Sequence, residues 1–342
     1  MQTASSEVEE LTRKLVAIES TTGCEGPAAD FLYGYLRDHG WSAQKLPVEE
    51  GRWNVFARRG APQVVFSTHI DTVPPHVELA EDEAFIYGRG ACDAKGIAAA
   101  QVSAAEKLFR EEGIENICLL FVVGEERNSA GAIAANRWVE KQPFFGGLRY
   151  LINGEPTENV LASGTKGSLR CRLTASGVSA HSAYPHLGVN AIEKLLEALH
   201  RIRSLQLRTD PDLGEETLNL GTIQGGTRPN VVPDFATAEV MFRLVDGGGV
   251  LKNEILQRVG GLAEVNFEFE VPPLRLKRMA EFQTAPMAYT TDIPFLTHFG
   301  EPLLLGPGCI DDAHTLQEKI SKQELSRGVQ LYADLARALL RQ

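Results

Sequence analysis

The sequence predicts an α/β domain that is interrupted by a smaller, inserted α+β domain. Short, almost continuously apolar segments alternate with helical ones up to residue 164, which is typical of a mostly parallel sheet. Over residues 165–276 apolar and polar residues instead alternate, as in half-exposed strands, and afterwards the α/β character returns. A chain of 342 residues also exceeds the size at which one core usually keeps growing. We therefore assign 1–164 and 277–342 to the first domain and 165–276 to the insertion.

Three segments of the first domain are predicted to be buried strands. VVFS (64–67), ICLLFVV (117–123) and YLIN (150–153) are nearly all apolar, which favours strands that are covered on both faces. The segment 95–113, between the first two, has the composition of a helix. This alternation of strand and helix predicts a parallel sheet.

Capping-box patterns mark the start of two helices. Ser6 with Glu9 precedes an apolar repeat at helical spacing, and Ser321 with Glu324 precedes the closing repeat. The serine of such a box accepts the backbone N–H three residues later. We therefore expect helices to begin directly after Ser6 and Ser321.

The insertion has a βαββαβ order of predicted elements. A strand is followed by an amphipathic helix, an antiparallel pair of strands, a second helix and a last strand. The segments are LRCRLTASG, AIEKLLEALHRI, LNLGTIQGG, ATAEVMFRL, a helix around 250–258 and VNFEFEV. This order indicates a ferredoxin-like domain.

Composition excludes several classes of partner and compartment. The net charge of −11 argues against nucleic acid and anionic membranes as partners. No apolar run is long enough to span a bilayer, and the polar, acidic N-terminal segment is unlike a signal peptide. The five scattered cysteines form no C-x-x-C pair, which excludes a thiolate zinc cluster and favours a reducing compartment. We expect a cytoplasmic protein.

Metal-ligand residue types follow the predicted strands at the points where the strands end. Ligands bind beyond the carboxyl ends of strands in open α/β sheets, so these side chains should meet at one edge. Imidazoles and carboxylates together suit Zn²⁺, with Mn²⁺ or Co²⁺ as alternatives. The candidates that follow strands are His69, Asp71, Glu125, Glu126 and Glu155, while Asp93 lies just before a helix and His314 in the loop before the last helix.

Each candidate also has a plainer interpretation. Asp93 could cap the helix that follows it, and Glu155 before a proline could be an ordinary turn residue. Adjacent glutamates such as Glu125 and Glu126 are most often a solvated acidic loop. The combination at successive strand ends favours the metal site. Covalent acyl transfer has little support, because the sequence has no G-x-S-x-G motif and no cysteine with a nucleophile signature. A G-x-G-x-x-G nucleotide-binding loop is rejected, because GRGACD has Asp93 at the position of the final glycine, where it would repel a phosphate.

Seven motifs between about residues 66 and 315 occur in the order of a known family. They are STHIDTVP, GRGACDAKG, GEE, GEPT, AHSAYPHLGVNAI, GGTRPNVVP and DDAHT. Together they resemble the M20 family of metallopeptidases and deacylases, which includes acetylornithine deacetylase and succinyl-diaminopimelate desuccinylase. The resemblance implies a zinc-peptidase-like α/β catalytic domain that is interrupted by a ferredoxin-like lid or dimerisation domain.

The resemblance also implies a ligand set for two divalent metal ions, most often zinc, with cobalt or manganese as alternatives. His69 and Glu155 would bind one ion, and Glu126 and His314 the other. Asp93 would bridge the two.

Catalytic roles follow from the same resemblance. Asp71 would orient the imidazole of His69. Glu125 would be the general base that accepts a proton from the water bound by the two metals, and the resulting hydroxide would attack the amide. His181 would donate a hydrogen bond to the oxyanion. Asn230 and Arg243 would bind substrate, and the inserted domain would form a homodimer.

Three functions are compatible with these residues. The leading hypothesis is a metal-dependent amidohydrolase that removes an acetyl or succinyl group from an N-acyl amino acid. The alternative is a dipeptidase, aminopeptidase or carboxypeptidase of the same family that acts on short peptides. A noncatalytic binding protein ranks last, because the full ligand set and Glu125 are present.

Overall fold

Seven α-helices lie in the part of the chain that the computed structural model describes, residues 2–142 and 146–342, with side chains described from Glu7 onward. The helices are α1 (Gln2–Val16), α2 (Gly26–Asp38), α3 (Lys95–Glu112), α4 (Ala130–Val139), α5 (Ala191–Arg203), α6 (Gly249–Val259) and α7 (Lys322–Leu340). Helix α7 begins directly after Ser321, whose hydroxyl accepts the N–H of Glu324, as predicted. Helix α1 begins before Ser6, so the prediction for its start was wrong.

The strands of the same ranges vary from two to ten residues. In chain order they are β1 (Ser42–Glu49), β2 (Arg52–Arg58), β3 (Val64–His69), β4 (Ala80–Glu81), β5 (Phe85–Tyr87), β6 (Ile117–Val122), β7 (Tyr150–Asn153), β8 (Leu161–Thr165), β9 (Gly167–Ser176), β10 (Thr209–Asp210), β11 (Gly214–Glu215), β12 (Thr217–Gly225), β13 (Phe235–Leu244), β14 (Glu264–Val271), β15 (Leu274–Arg275), β16 (Thr284–Met287), β17 (Glu301–Leu304) and β18 (Lys319–Ser321).

The largest sheet has the strand order β1-β2-β6-β3-β7-β17. Strands β6, β3, β7 and β17 run parallel to one another, whereas β1 and β2 add an antiparallel edge. Every residue of β3, β6 and β7 is buried, which explains their continuous apolar sequences. The carboxyl ends of these three adjacent strands therefore lie side by side.

Helices cover both faces of this sheet. On one face, α1, α3 and α7 form a core that includes Leu15, Phe66 and Leu335. On the other face, α4 packs over a core that includes Phe56 and Ala135. Fully burying a Leu or Phe side chain stabilises the fold by about 1.5–3 kcal/mol. The loops at the carboxyl edge of the sheet therefore follow strands that are packed on both faces.

The chain divides into two units. The first unit runs to Ala162 and resumes over Leu276–Ala285 and Thr291–Gln342. The second unit comprises Ser163–Arg275 and Pro286–Thr290. The second unit therefore lies within the sequence of the first.

The second unit is built on an antiparallel sheet of order β12-β13-β9-β14. Helices α5 and α6 follow β9 and β13, which gives the βαββαβ order of a ferredoxin-like domain. Side chains of β9 and β13 alternate between buried and partly buried, as the sequence pattern predicts. Leu173, Leu195, Val240 and Ile255 belong to the core of this unit.

None of the helices in the described ranges is long and apolar enough to cross a membrane.

Candidate metal centre

Three adjacent strands of the large sheet each lead to candidate ligands at their carboxyl ends. His69 is the last residue of the central strand β3. Glu125 and Glu126 follow β6, and Glu155 follows β7. Asp93 lies in the turn before α3. The parallel order of the strands therefore brings together residues that are far apart in sequence.

The carboxylate of Asp93 contacts two imidazoles, one on each oxygen. His69 Nε2 lies 2.9 Å from Asp93 Oδ1, and His314 Nε2 lies 3.3 Å from Asp93 Oδ2. His314 Nε2 is also 3.0 Å from Glu126 Oε1, while His69 Nε2 is 3.9 Å from Glu155 Oε2. The carboxylate of Asp93 thus lies between the two imidazoles, each of which also approaches a second carboxylate.

The donor set fits divalent cations. Ligand atoms of His69, Asp93 and Glu126 all lie within 4.8 Å of one another. Glu155 is 5% exposed, and its Oε1 atom has no hydrogen-bond partner within the described chain. A buried carboxylate oxygen without a partner is unfavourable, and a cation would supply the missing interaction. Imidazole and carboxylate donors without thiolates are those of zinc, manganese or cobalt sites.

Burial and hydrogen bonds shift the pKa values of the clustered side chains in different directions. Burial raises the pKa of Glu155 well above its usual value. Hydrogen bonds to Asp93 and Glu126 raise the pKa of His314 to about 10. Burial disfavours the charged form of Asp93, but hydrogen bonds from His314 and His69 outweigh it and hold the pKa of Asp93 below its usual value. Because ligands must be deprotonated to bind, metal affinity should depend on pH.

Asp71 contacts His69 differently from the expectation. The backbone carbonyl of Asp71 lies 3.0 Å from His69 Nδ1, whereas the nearer carboxylate oxygen is 3.6 Å away, beyond normal hydrogen-bond distance. The carboxylate instead accepts the backbone N–H groups of Glu125 and Glu126 at 3.0 and 3.2 Å and the hydroxyl of Thr22 at 2.7 Å. Asp71 therefore orients the imidazole through its main chain and fixes the two adjacent glutamates through its side chain.

A buried ion pair lies close to the turn before Glu125. Arg52 donates from Nε and Nη2 to the carboxylate of Glu25 at 2.8 and 2.5 Å. Gly124 has a φ of 81°, and a Cβ there would lie 2.9 Å from Arg52 Nη2. Glycine at 124 thus allows both the left-handed backbone and the close approach of the guanidinium.

Two buried carboxylates close to this cluster were not predicted. Burial raises the pKa of Asp292 to about 7, and the charge of Asp292 contributes to the raised pKa of Glu125. Glu318 accepts the backbone N–H of Asp93 at 3.0 Å. Neither residue follows a strand of the parallel sheet, so the search for ligand residues at strand ends could not find them.

The remaining candidates belong to the second unit. His181 is exposed, and its Nδ1 accepts the N–H of Ala183 at 3.1 Å, which leaves Nε2 as the protonated nitrogen of the neutral ring. The residue after His181 donates its N–H to the carbonyl of Asn230 at 3.1 Å. Arg243 lies on β13 and donates from Nη1 to Thr290 Oγ1 at 3.3 Å.

Imidazoles and carboxylates clustered at the carboxyl edge of a parallel α/β sheet form the kind of site that metal-dependent hydrolases use. Residues 163–258 match the family described as a peptidase dimerisation domain. A probable carboxypeptidase of Paracoccidioides brasiliensis (strain Pb03) is 36% identical, over 97% of this chain and 85% of the relative. The chain belongs to the M20 family of metallopeptidases, which are hydrolases of linear amide or peptide bonds.

Solved structures agree with the fold. A tripeptidase of Staphylococcus aureus superposes with a TM-score of 0.80 at 21% identity, over 97% of this chain and 99% of that one. A dinuclear metal-binding peptidase of the M20 family from Bacillus subtilis superposes with a TM-score of 0.72 at 14% identity, over 99% of each chain. The predicted fold class, an α/β domain with an inserted dimerisation domain, is confirmed.

Proposed function

We propose that this chain is a two-metal peptidase that hydrolyses the amide bond next to a free α-carboxylate, as carboxypeptidases and dipeptidases do. The observation that carries the proposal is the Asp93 carboxylate with an imidazole against each oxygen, flanked by Glu126 and Glu155. The similarity to a probable carboxypeptidase supports the peptide substrate.

Removal of an acetyl or succinyl group from an N-acyl amino acid is a second candidate. Such a substrate also carries its α-carboxylate beside the scissile amide, so the same recognition serves both reactions. Arg243 is the proposed partner of this carboxylate, because a guanidinium can bind a carboxylate through two hydrogen bonds. Asn230 is the proposed second substrate contact. An aminopeptidase would instead require an acidic partner for the free α-amino group.

The proposed cofactor is a pair of divalent ions, with zinc as the native metal and cobalt or manganese as substitutes. His69 and Glu155 would hold one ion, Glu126 and His314 the other, and Asp93 both. Bound ions of this kind lower the pKa of water and polarise the carbonyl of the substrate.

Glu125 is the proposed proton carrier. Its carboxylate would accept a proton from the attacking water and deliver that proton to the leaving amine. Two features support this role: Asp71 fixes the backbone of Glu125, and burial together with repulsion from Glu155 raises the pKa of Glu125. A raised pKa brings a carboxyl group closer to the pH at which it both accepts and releases protons.

His181 is the proposed donor to the oxyanion. Its Nδ1 is already an acceptor for the N–H of Ala183, so the neutral ring carries its proton on Nε2. A donor aimed at the developing negative charge typically contributes about 10²–10³-fold in rate. The imidazole could be supplied from the same subunit or from a partner.

We also propose a cytoplasmic homodimer that forms through the second unit. The edge strand β12 has the sequence TLNLGTIQG, which carries no charge, and its Ile223 is 55% exposed. The opposite edge strand β14 carries Glu264, Glu268 and Glu270. Charged residues protect an edge from pairing, so the uncharged edge is the better surface for a second copy.

The proposed reaction is tested with metal-depleted enzyme and matched substrates. Chelator should abolish turnover, and Zn²⁺, Co²⁺ or Mn²⁺ should restore it. Dipeptides, N-acetyl and N-succinyl amino acids should be compared with the same compounds bearing a C-terminal amide. We expect the amides to lose roughly 10²-fold or more in kcat/KM, as expected when a buried polar or charged group loses its partner. Equal rates on acids and amides would contradict carboxylate recognition.

A further inference from the structure

The carboxylate of Glu318 lies beneath the turn that presents Asp93. Glu318 is 1% exposed. Its Oε1 accepts three backbone N–H groups, those of Gly90, Cys92 and Asp93, at 2.9, 3.1 and 3.0 Å. Its Oε2 accepts Nη1 of Arg89 at 2.6 Å. These four hydrogen bonds of the carboxylate all come from the segment 89–93.

Backbone pairing holds Glu318 in this position. Strand β18, which begins one residue later, pairs with β5 in antiparallel register. The carbonyl of Glu318 accepts the N–H of Gly88 at 3.0 Å, which extends the pairing by one step. Arg89, the ionic partner, also donates from Nε to the carbonyl of Pro75 at 3.1 Å. The carboxylate therefore has a fixed support on both sides.

Glu318 connects two of the proposed metal ligands. It follows His314 by four residues, and its side chain binds the N–H of Asp93. Arg89 is 1% exposed and compensates the charge of Glu318, so this carboxylate supplies an acceptor without adding net charge beside the acidic cluster. Three N–H groups on one oxygen leave the turn little freedom to move away from the His314 segment.

We propose that Glu318 is a positioning residue for the metal pair, which sets the distance between Asp93 and His314 by holding the three N–H groups of the turn. The inference rests on the proposed two-metal function. Glu318 would contact neither metal nor substrate, and it would act only through the placement of the bridging ligand.

Reach, rather than charge, is the property that this role requires. Glu318→Asp keeps the charge but withdraws the carboxylate by one carbon–carbon bond, about 1.5 Å. The shortened side chain cannot remain within hydrogen-bond distance of both Arg89 and the turn. Glu318→Gln keeps the reach and one carbonyl oxygen, which can still accept the N–H groups of the turn. Its NH₂ group cannot accept from Arg89, so this variant should unfold more easily while the turn keeps its acceptor.

The test measures metal binding in the full-length protein. Chelator competition gives the dissociation constants of the two zinc ions, and the visible absorption of the Co²⁺-loaded protein reports ligand geometry. In Glu318→Asp the dissociation constant of the more weakly bound ion should rise about tenfold or more, because the loss of a residue that supports a metal ligand weakens metal binding by about 10–100-fold. The Co²⁺ spectrum of this variant should also change. Glu318→Gln should stay within about threefold of wild type. Glu112→Gln, which removes the exposed ion pair with Arg337, is the control and should bind as wild type.

Two results would overturn the proposal. One is a folded Glu318→Asp protein with wild-type zinc affinities and Co²⁺ spectrum. The other is a loss in Glu318→Gln that equals or exceeds the loss in Glu318→Asp, which would make charge the decisive property. A wild-type protein that binds no metal pair would refute the proposed function itself, and this outcome is visible before any variant is made.

Discussion

Replacing Asp71 by Asn tests whether its carboxylate fixes the turn that carries the two glutamates. The carboxylate is fully buried and accepts hydrogen bonds from Thr22 Oγ1 at 2.7 Å and from the N–H groups of Glu125 and Glu126 at 3.0 and 3.2 Å. Asparagine has the same shape, but one of its two terminal groups is an NH₂ that only donates. In either orientation of the amide, at least one donor loses its acceptor.

The size of the effect follows from these contacts. A buried donor without a partner costs about 1–3 kcal/mol, so we expect Asp71→Asn to lower the free energy of unfolding of metal-depleted protein by about 2–3 kcal/mol. Thr22→Val removes one donor and leaves both backbone N–H groups paired, which should lower it by about 1 kcal/mol. Displacement of Glu125 should also lower kcat of Asp71→Asn by about 10²-fold.

Urea unfolding followed by circular dichroism measures the stabilities, and kcat is measured with saturating zinc. The Thr22→Val enzyme, which keeps the backbone of Glu125 bound to Asp71, should retain kcat within about a factor of two, as expected for a change that leaves the reacting groups in place. The reasoning is refuted if Asp71→Asn unfolds at the wild-type urea concentration. It is also refuted if Thr22→Val is the more damaging change.

Three further predictions concern catalysis, pH and assembly. Glu125→Gln should keep both metals, by metal analysis, but lose about 10²–10⁴-fold in kcat, and near-normal turnover would remove the general-base role. Burial raises the pKa of Glu155 and raises that of Asp292 to about 7, so the folded metal-depleted chain binds more protons than the unfolded one. The free energy of unfolding of the metal-depleted chain should therefore fall as the pH rises from about 5 to about 7, by about 1.4 kcal/mol per pH unit for each extra proton that the folded chain binds. A urea midpoint that rises over this range would contradict the raised pKa values of Glu155 and Asp292. Ile223→Lys should shift a dimer towards monomer in analytical ultracentrifugation, and an unchanged mass would exclude the β12 edge as the interface.

The sequence could predict much of the site because strand ends obey a simple geometric rule. Continuous apolar runs identified β3, β6 and β7, and parallel strands bring their carboxyl ends to one edge. His69, Glu126 and Glu155 are therefore placed by local patterns alone. Asp93 and His314 lie in loops; their residue types made them candidates, and the resemblance to a family added the roles that they would have in the same cluster.

The supporting contacts were not predictable in the same way. Glu318 binds backbone N–H groups of a turn more than 220 residues earlier in the sequence, and such a contact leaves no periodic signal. The side chain of Asp71 was expected on the imidazole of His69, but the backbone carbonyl takes that contact, because two amide groups after β6 compete for the carboxylate. Helix α1 extends upstream of Ser6, because a capping residue favours a start without preventing an earlier turn.

The position of the insertion has a consequence for biosynthesis. Strand β17 completes the parallel sheet by pairing with β7, although the second unit is encoded between them. On the ribosome, His69, Asp93 and Glu155 emerge long before His314, so the nascent polypeptide carries only part of the proposed ligand set. Pairing of segments so distant in sequence is slow. With the proposed ligands, capture of both cations would wait until translation has passed β17 and His314, which would make metal loading a late step of maturation.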